Sequence, residues 1–268
     1  MFDAEKFIAS QVEKVKGQVE GRAIIAASGG VDSTVCAAIV SRAIGDRLLA
    51  VYVDTGFMRK GETANVDKML SRLGVNHMVV DASDEYFDAL KGVTDPERKR
   101  KIIGEKFIRV FEREAKKFDA QYLVQGTIAP DWIESGGGLR DVIKSHHNVG
   151  GLPADMNLTL VEPLRDLYKD EVRKVARALR MEVAEKQPFP GPALAIRVMG
   201  EPTRESVAIV REACAIAEEE IEKAAAAGKM ELPWQYFAVL LPVRSVGVQG
   251  DIRAYGYTVA VRAVLKPS

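Results

Sequence analysis

Residues 23–33 read Ala23-Ile24-Ile25-Ala26-Ala27-Ser28-Gly29-Gly30-Val31-Asp32-Ser33, and they give the strongest indication of the fold. Its opening apolar run is typical of a buried parallel strand. The two glycines let the backbone approach a ligand without a Cβ clash, and residues 31–43 carry a helical pattern. A new helix presents unpaired N–H groups and the positive end of its dipole to an anion. We therefore predict a phosphate-binding loop at residues 28–33.

The polar side chains of this loop indicate its chemistry. Ser28 and Ser33 add hydroxyl donors, whereas Asp32 alone would repel a phosphate, so we expect a divalent cation such as Mg²⁺ between them. The lysine of a Walker-A loop is absent, which excludes a kinase or GTPase of that type. A glycine turn with a solvated aspartate is the alternative, and it accounts less well for the complete string. The predicted nucleotide-binding residues of the loop are Ser28, Gly29, Gly30, Val31, Asp32 and Ser33.

On both sides of the loop, strands alternate with helices. Apolar runs predict strands at 48–53, 77–80, 121–125 and 158–161, and periodic segments predict helices at 3–17, 62–73, 97–118 and 169–179. This alternation predicts an α/β fold, a parallel sheet with helices on both faces. A glycine-rich connection at 127–157 interrupts it, and a connection of that length is usually functional or mobile.

The pattern changes after the proline-rich segment 188–192, which we expect to form a rigid hinge or wall. Beyond it we predict a strand at 194–198 and a long helix that begins at the capping residue Thr203. Further strands are predicted at 237–241 and 258–264. The chain is thus predicted to contain a larger domain over residues 1–187 and a small α+β domain over residues 188–268.

Composition argues against a nucleic-acid-binding, membrane-spanning or secreted protein. Lys+Arg and Asp+Glu each number 38 among 268 residues, and a zero net charge gives no general attraction to nucleic acid. No apolar run approaches the ~20 residues that span a bilayer, and the N-terminus lacks a signal-peptide core. We expect a cytoplasmic protein that binds neither membrane nor nucleic acid. Cys36 and Cys214 lie in apolar helical contexts and are expected to be free buried thiols.

The loop resembles the pyrophosphate loop of the N-type ATP pyrophosphatases, which have an adenine nucleotide alpha hydrolase-like fold. Further motifs lie, in order, at residues 54–62, 91–97, 125–135, 143–148, 162–173, 187–192 and 247–251. This set is similar to the synthetase part of GMP synthetase, and the resemblance covers residues 3–264. Because the chain starts just before its first helix, it resembles the separate synthetase subunit of the two-subunit form, found mainly in archaea.

The resemblance implies a ligase that forms a C–N bond with ATP and Mg²⁺. In that reaction ATP adenylates O2 of XMP with loss of pyrophosphate, and ammonia then displaces AMP to give GMP. The resemblance further implies a glutamine amidotransferase subunit that supplies the ammonia. It also implies a homodimer formed through the C-terminal α+β domain.

The resemblance also suggests roles for residues outside the loop. Lys144 is expected to stabilise negative charge at the α-phosphate, and Asp32 to hold the metal ion. Gly126 and Thr127 end a predicted strand, where open α/β sheets bind ligands, and Val53 is expected to offer its backbone to adenine.

Other residues keep two interpretations. Asp131 is either a second metal or ribose contact or a helix cap. Arg165, Asp166 and Lys169 either cap the following helix or line the site.

Two features depart from the resemblance. The family usually has glycine at the position of Ala193, and the extra methyl group should be tolerated unless φ is positive there. The family also continues past residue 268 with a tail that contributes to XMP binding, so the C-terminal domain is expected to be shortened. The alternative functions are an ATP-binding regulatory subunit and another N-type ATP pyrophosphatase, such as a tRNA-thiolating enzyme.

Overall fold

A computed structural model describes residues 2–134, 158–181, 187, 189–249 and 252–265. The chain divides into two compact units. The first comprises Met1–Asp54, Glu62–Asp81 and Gly104–Ala184, and the second comprises Thr55–Gly61, Ala82–Ile103 and Glu185–Ser268. The domain boundary expected after residue 187 stays a prediction, and two segments that precede it belong to the second unit.

The first unit is built on a parallel sheet, as predicted. In the described part of the chain it has five strands in the order β3-β2-β1-β4-β5. The strands are β1 (Ala23–Ala26), β2 (Leu48–Asp54), β3 (His77–Asp81), β4 (Tyr122–Val124) and β5 (Thr159–Val161). Each lies within two residues of its predicted position.

The predicted helices are confirmed within two residues at each end, and the last of them, for which only the beginning was predicted, starts directly after its capping residue Thr203. They are α1 (Ala4–Gln18), α2 (Val31–Ile44), α3 (Glu62–Arg72), α5 (Pro96–Lys117), α7 (Lys169–Ala178) and α8 (Arg204–Ala226). The sequence reading missed α4 (Ser83–Ala89) and α6 (Ala129–Glu134). Helix α6 lies inside the connection predicted over 127–157, so the first part of that connection is helical. The rest of it, residues 135–157, lies outside the described residues.

The core of the first unit explains why β1 and α2 form where they do. Ile24 and Ile25 of β1 are buried although their side chains point to opposite faces of the sheet. Every residue of α2 from Thr34 to Val40 is also buried. The crossovers β1–α2–β2 and β2–α3–β3 run toward one edge, whereas the chain from β3 returns through α5 to β4 on the other side of β1. The right-handed crossover rule then places helices on both faces.

The second unit contains α8 and an antiparallel pair, β6 (Gln235–Gln249) and β7 (Ile252–Val264). Thr203 caps α8, since its side chain accepts a hydrogen bond from the backbone N–H of Ser206 at 3.1 Å. Tyr236, Ala238 and Leu240 of β6 are buried, and β6 packs on α8. Both strands extend well beyond their predicted ranges.

The strand predicted at 194–198 is wrong. Residues Ala193–Arg197 form a 3₁₀ helix, and Val198 makes only an isolated bridge to Leu240. The carbonyls that a strand would pair are taken by a lysine instead. The buried Nζ of Lys99 donates to Ala195 O at 3.1 Å and to Val198 O at 2.7 Å.

Ala193 has a positive φ of +54°. This is the conformation in which the methyl group that replaces the glycine hydrogen is expected to cause strain.

Across the described part of the chain, no helix combines the length and apolar character needed to cross a membrane.

Candidate active site

The loop at residues 28–33 lies at the topological switch point of the sheet, where the strand order reverses between β1 and β4. Strands β1 and β4 are neighbours, and the chain leaves them toward opposite edges. In open α/β sheets, ligands bind at the carboxyl ends of the strands at such a point. Ala27 N–H donates to Val51 O at 2.9 Å, which prolongs the pairing of β1 up to the loop itself. The sheet therefore fixes the entry to the loop.

The two serines of the loop hold it together. Their Oγ atoms lie 2.9 Å apart. Ser28 Oγ also accepts from Gly30 N–H at 3.3 Å, and Ser33 Oγ donates to Gly30 O at 3.2 Å. Gly30 is the N-cap residue of α2 and supplies no side chain to the free N–H groups of that helix. These internal hydrogen bonds fix the shape of the loop, and its position at the start of α2 directs helix N–H donors toward an anion.

Two of the glycines are required by geometry. Gly29 has a φ of +74°, and a Cβ there would lie 2.7 Å from Val66 Cγ2. At Gly126, after β4, a Cβ would lie 3.0 Å from the carbonyl carbon of Asp32 and 3.1 Å from Ser33 N. Since these are backbone atoms, a side chain at 126 would displace the loop. The structure therefore brings Gly126 against the loop, as expected for a residue at this edge.

Asp32 forms an ion pair that joins two distant parts of the chain. Its Oδ2 lies 2.5 Å from Nζ of Lys169, at the start of α7. Its Oδ1 is buried and has no hydrogen-bond partner. One carboxylate oxygen is thus paired with a cation of the protein, and the other is buried without a hydrogen-bond partner.

Thr127 and Val53 lie where the sequence placed them, at the carboxyl ends of strands. Thr127 follows β4, is buried, and has an Oγ1 without a hydrogen-bond partner. Val53 is the penultimate residue of β2, is buried, and pairs in register with Val80 of β3. Neither position tests the predicted contact with nucleotide, so both roles stay predictions.

Asp131 acts as a helix cap in this structure. Its Oδ2 accepts a hydrogen bond from the backbone N–H of Ile128 at 2.9 Å, just before α6. Its predicted role as a metal ligand stays a prediction.

Lys144 lies outside the described residues. Within the described residues, no group of three or more His, Cys, Asp or Glu side chains is placed to hold a metal ion.

Cys36 lies beneath the loop, one turn after Asp32 on α2. Its Sγ donates to Gln125 O at 3.4 Å. Burial raises the pKa of this thiol, and the nearby charges of Glu162 and Asp32 raise it further. Cys36 is therefore a neutral thiol, and Cys214 is also free and buried. Catalysis of the tRNA-thiolating kind would require a reactive thiolate, and Cys36 does not provide one.

The sequence left Lys169 with two interpretations, a helix cap or a residue lining the site, and predicted no role for Glu162. The structure brings Lys169 to Asp32, 137 positions away, which favours a place in the site. Glu162 follows β5, and its buried Oε1 has no hydrogen-bond partner. A carboxylate directly after a short strand is the signal that could have identified Glu162.

Comparisons with known proteins agree with this arrangement. The family model for the GMP synthase C terminal domain matches residues 219–267, and the model for queuosine biosynthesis protein QueC matches residues 22–102. Two solved structures share the fold at 14% identity: an NH3-dependent NAD synthetase from Campylobacter jejuni (TM-score 0.52, 68% of this chain and 76% of that one) and an NMN synthetase from Francisella tularensis (TM-score 0.55, 86% and 88%).

Two curated relatives are much more similar, and both are subunits of glutamine-hydrolyzing GMP synthases. The subunit from Methanopyrus kandleri is 59% identical over 98% of this chain and 84% of its own length. The corresponding subunit from Thermococcus kodakarensis is 61% identical over 97% of this chain and 83% of its own length. Identity at this level across nearly the whole chain, with the loop geometry described above, shows that the chain belongs to this family of GMP synthase subunits.

Proposed function

We propose that this chain is the ATP pyrophosphatase subunit of a GMP synthase. It transfers AMP from ATP to O2 of XMP with release of pyrophosphate, and ammonia then replaces AMP at C2 to give GMP. The hydrogen-bonded loop at residues 28–33 is the observation that carries this proposal. Its serine hydroxyls and the N–H groups of α2 suit the phosphates of ATP, and the similarity to GMP synthase subunits supports XMP as the acceptor.

The chemistry explains why the loop must bind ATP before ammonia reacts. A purine carbonyl oxygen is a poor leaving group, and adenylation turns it into the oxygen of AMP, which leaves readily. The oxygen attacks the α-phosphorus and pyrophosphate departs, so negative charge grows on the phosphates in the transition state. Lys169, beside Asp32, and Lys144, from the connection predicted over 127–157, are the cations that would stabilise this charge.

The donor set at Asp32 fits Mg²⁺. Its Oδ1 is a buried carboxylate oxygen without a partner, and Mg²⁺ is usually held by one or two carboxylates together with substrate phosphates. We assign Asp32 as the residue that holds the ion, with Asp131 as a second predicted ligand. When bound, the ion neutralises charge on the phosphates of ATP.

We also propose that the protein acts in the cytoplasm as a homodimer with a glutamine amidotransferase subunit. The relatives are named as subunits of a glutamine-hydrolyzing enzyme, which supports such a partner as the source of ammonia. The half of the β6–β7 pair near the turn supports self-association. Residues 242–247 of β6 in this half are all exposed, and isolated two-stranded hairpins are only marginally stable in water. This half carries exposed apolar side chains at Val243, Val246, Ile252 and Tyr255.

A second copy of the chain would cover this surface. We expect Tyr255→Glu to shift the sedimentation coefficient of the wild-type dimer to that of a monomer, while Glu231→Lys, an exposed change outside the hairpin, leaves it unchanged. A monomeric wild-type chain would rule out the dimer.

The function is tested by incubating the purified chain with ATP, Mg²⁺, XMP and an ammonium salt. GMP and AMP should appear in equal amounts, and AMP release should require XMP. A chain that binds ATP but forms no GMP under saturating ammonium would instead be a regulatory subunit.

A further inference from the structure

Three buried oxygens without partners follow neighbouring strands of the sheet. They are Oδ1 of Asp32, Oγ1 of Thr127 and Oε1 of Glu162. Asp32 follows β1 through the loop, Thr127 follows β4, and Glu162 follows β5. These strands are adjacent in the order β1-β4-β5. Because parallel strands end at one edge of the sheet, all three oxygens belong to the same edge.

The register places Glu162 next to the loop. Val124 of β4 pairs with Val161 of β5, and Gln125 N–H donates to Val161 O at 3.0 Å. Glu162 is therefore level with Gln125, whose carbonyl accepts from the thiol of Cys36. Glu162 and Asp32 are both close enough to Cys36 for their charges to raise the pKa of its thiol. Glu162 at the end of β5 and Asp32 in the first turn of α2 thus lie on the same side of the sheet edge as Cys36.

The pairing of the Glu162 carboxylate differs from that of a similarly buried glutamate, Glu112. Its side chain is 8% exposed, and Oε2 is paired with Nη1 of Arg165 at 2.9 Å. Glu112 on α5 is also 8% exposed and paired with an arginine three residues away, Arg109, at 3.0 Å. Of these two glutamates, only Glu162 has a buried oxygen without a partner. An arginine partner alone therefore does not satisfy Glu162.

We propose that Glu162 is a further metal ligand, which holds a divalent cation together with Asp32. This inference rests on the proposed function, which places Mg²⁺ at Asp32. An unpaired buried carboxylate oxygen costs free energy, and a cation at the end of β5 would remove that cost. Carboxylate and hydroxyl oxygens are the ligands that Mg²⁺ and Mn²⁺ prefer, so Thr127 fits the same site.

The ion pair of Asp32 explains why a second carboxylate would be needed to hold the cation. Lys169 already occupies Oδ2 of Asp32, which leaves that residue one oxygen for a metal ion. A second carboxylate from β5 would hold the cation near the loop before the phosphates arrive. In that position the ion would meet the phosphates of ATP as the nucleotide enters.

Binding of Mn²⁺ alone, without nucleotide, tests the proposal. The probe is the electron paramagnetic resonance signal of free Mn²⁺, titrated into the purified chain. We expect one bound ion in the wild type, and in Glu162→Gln an affinity lower by at least about tenfold. The matched control Glu112→Gln, which removes the same charge from an equally buried glutamate, should bind like the wild type. Asp32→Asn should also lose the ion.

Several outcomes would overturn the proposal. Wild-type affinity in Glu162→Gln would show that Glu162 is not a ligand, and a wild-type chain that leaves millimolar Mn²⁺ free would remove the site. If Asp32→Asn binds normally, the metal role proposed for Asp32 also fails. Should Glu162→Gln not fold, Glu162→Asp keeps the charge but withdraws the carboxylate, and unchanged Mn²⁺ affinity would be equally decisive. Formation of GMP by the wild type tests the function separately.

Discussion

Nζ of Lys169 lies 2.5 Å from Oδ2 of Asp32, so the first turn of α7 is tied to the first turn of α2. Both side chains belong to helices whose N-termini lie at the carboxyl edge of the sheet. The pair places a positive charge beside the phosphate loop. We expect the phosphates of ATP to act as a further counter-charge for the same ammonium group.

The first prediction concerns this lysine. Lys169→Met should lower kcat for AMP release by at least about tenfold, because it removes a donor that stabilises charge in the transition state. The control is Lys174→Met on the same helix, since Lys174 is equally exposed at 48% and pairs with Asp170. Steady-state assays should show normal kcat in the control. Equal rates in both variants would make the Lys169–Asp32 pair irrelevant to catalysis.

The second prediction concerns the approach of β4 to the loop. Gly126→Ala would put a methyl carbon 3.0 Å from the carbonyl carbon of Asp32. Because backbone must move to admit it, we expect a loss of about 1–3 kcal/mol in the free energy of unfolding and weaker ATP binding.

Urea unfolding and ATP titration measure these two effects. The control, Gly104→Ala on α5, has nothing within 4 Å of its Cβ and should be stabilising by up to about 1 kcal/mol. Normal ATP affinity in Gly126→Ala would show that the loop tolerates the displacement.

The third prediction concerns strain at Ala193. Its φ of +54° is left-handed and unfavourable for any residue with a Cβ. Ala193→Gly should therefore raise the free energy of unfolding by about 1 kcal/mol. Ala195→Gly, a neighbour without positive φ, should lower it. Chemical denaturation measures both, and a destabilised Ala193→Gly would mean that the backbone at 193 carries no such strain.

The fourth prediction concerns the buried Lys99. Burial lowers the pKa of its ammonium group below the ordinary 10.5. Between the folded and unfolded pKa values the unfolded chain binds more protons, so stability should rise with pH across that interval. Lys99→Met lacks this group. The free energy of unfolding of the wild type, relative to that of Lys99→Met, should therefore increase as the pH approaches 10.5 from below. A difference in unfolding free energy that stays constant with pH would show that the pKa of Lys99 is not lowered.

Much of the first unit could be predicted from the sequence because its signals are local. The run at 23–27 is followed at once by glycines and a helical pattern, and the structure places β1 and α2 within one residue of their predicted bounds. The 3₁₀ helix at Ala193–Arg197 was missed because its apolar residues also suit a strand. Two carbonyls of this region accept hydrogen bonds from Lys99, which lies almost a hundred positions earlier and gives no local signal.

The same limit applies to the site. The loop residues are contiguous, so a short string identifies them. The Lys169–Asp32 pair and the position of Glu162 depend on strand order, which brings the ends of β1, β4 and β5 together. Local pattern carries no information on which helix N-terminus faces which loop. These contacts could be recognised only in the folded chain.

The proposed transfer of AMP to XMP and its replacement by ammonia are tested most directly by GMP formation. The purified chain is incubated with ATP, Mg²⁺, XMP and an ammonium salt, with Asp32→Ala in parallel. We expect equal amounts of GMP and AMP from the wild type and none from Asp32→Ala. A wild type that bound ATP but made no GMP would not be the proposed synthetase, and wild-type turnover in Asp32→Ala would rule out the role of the loop.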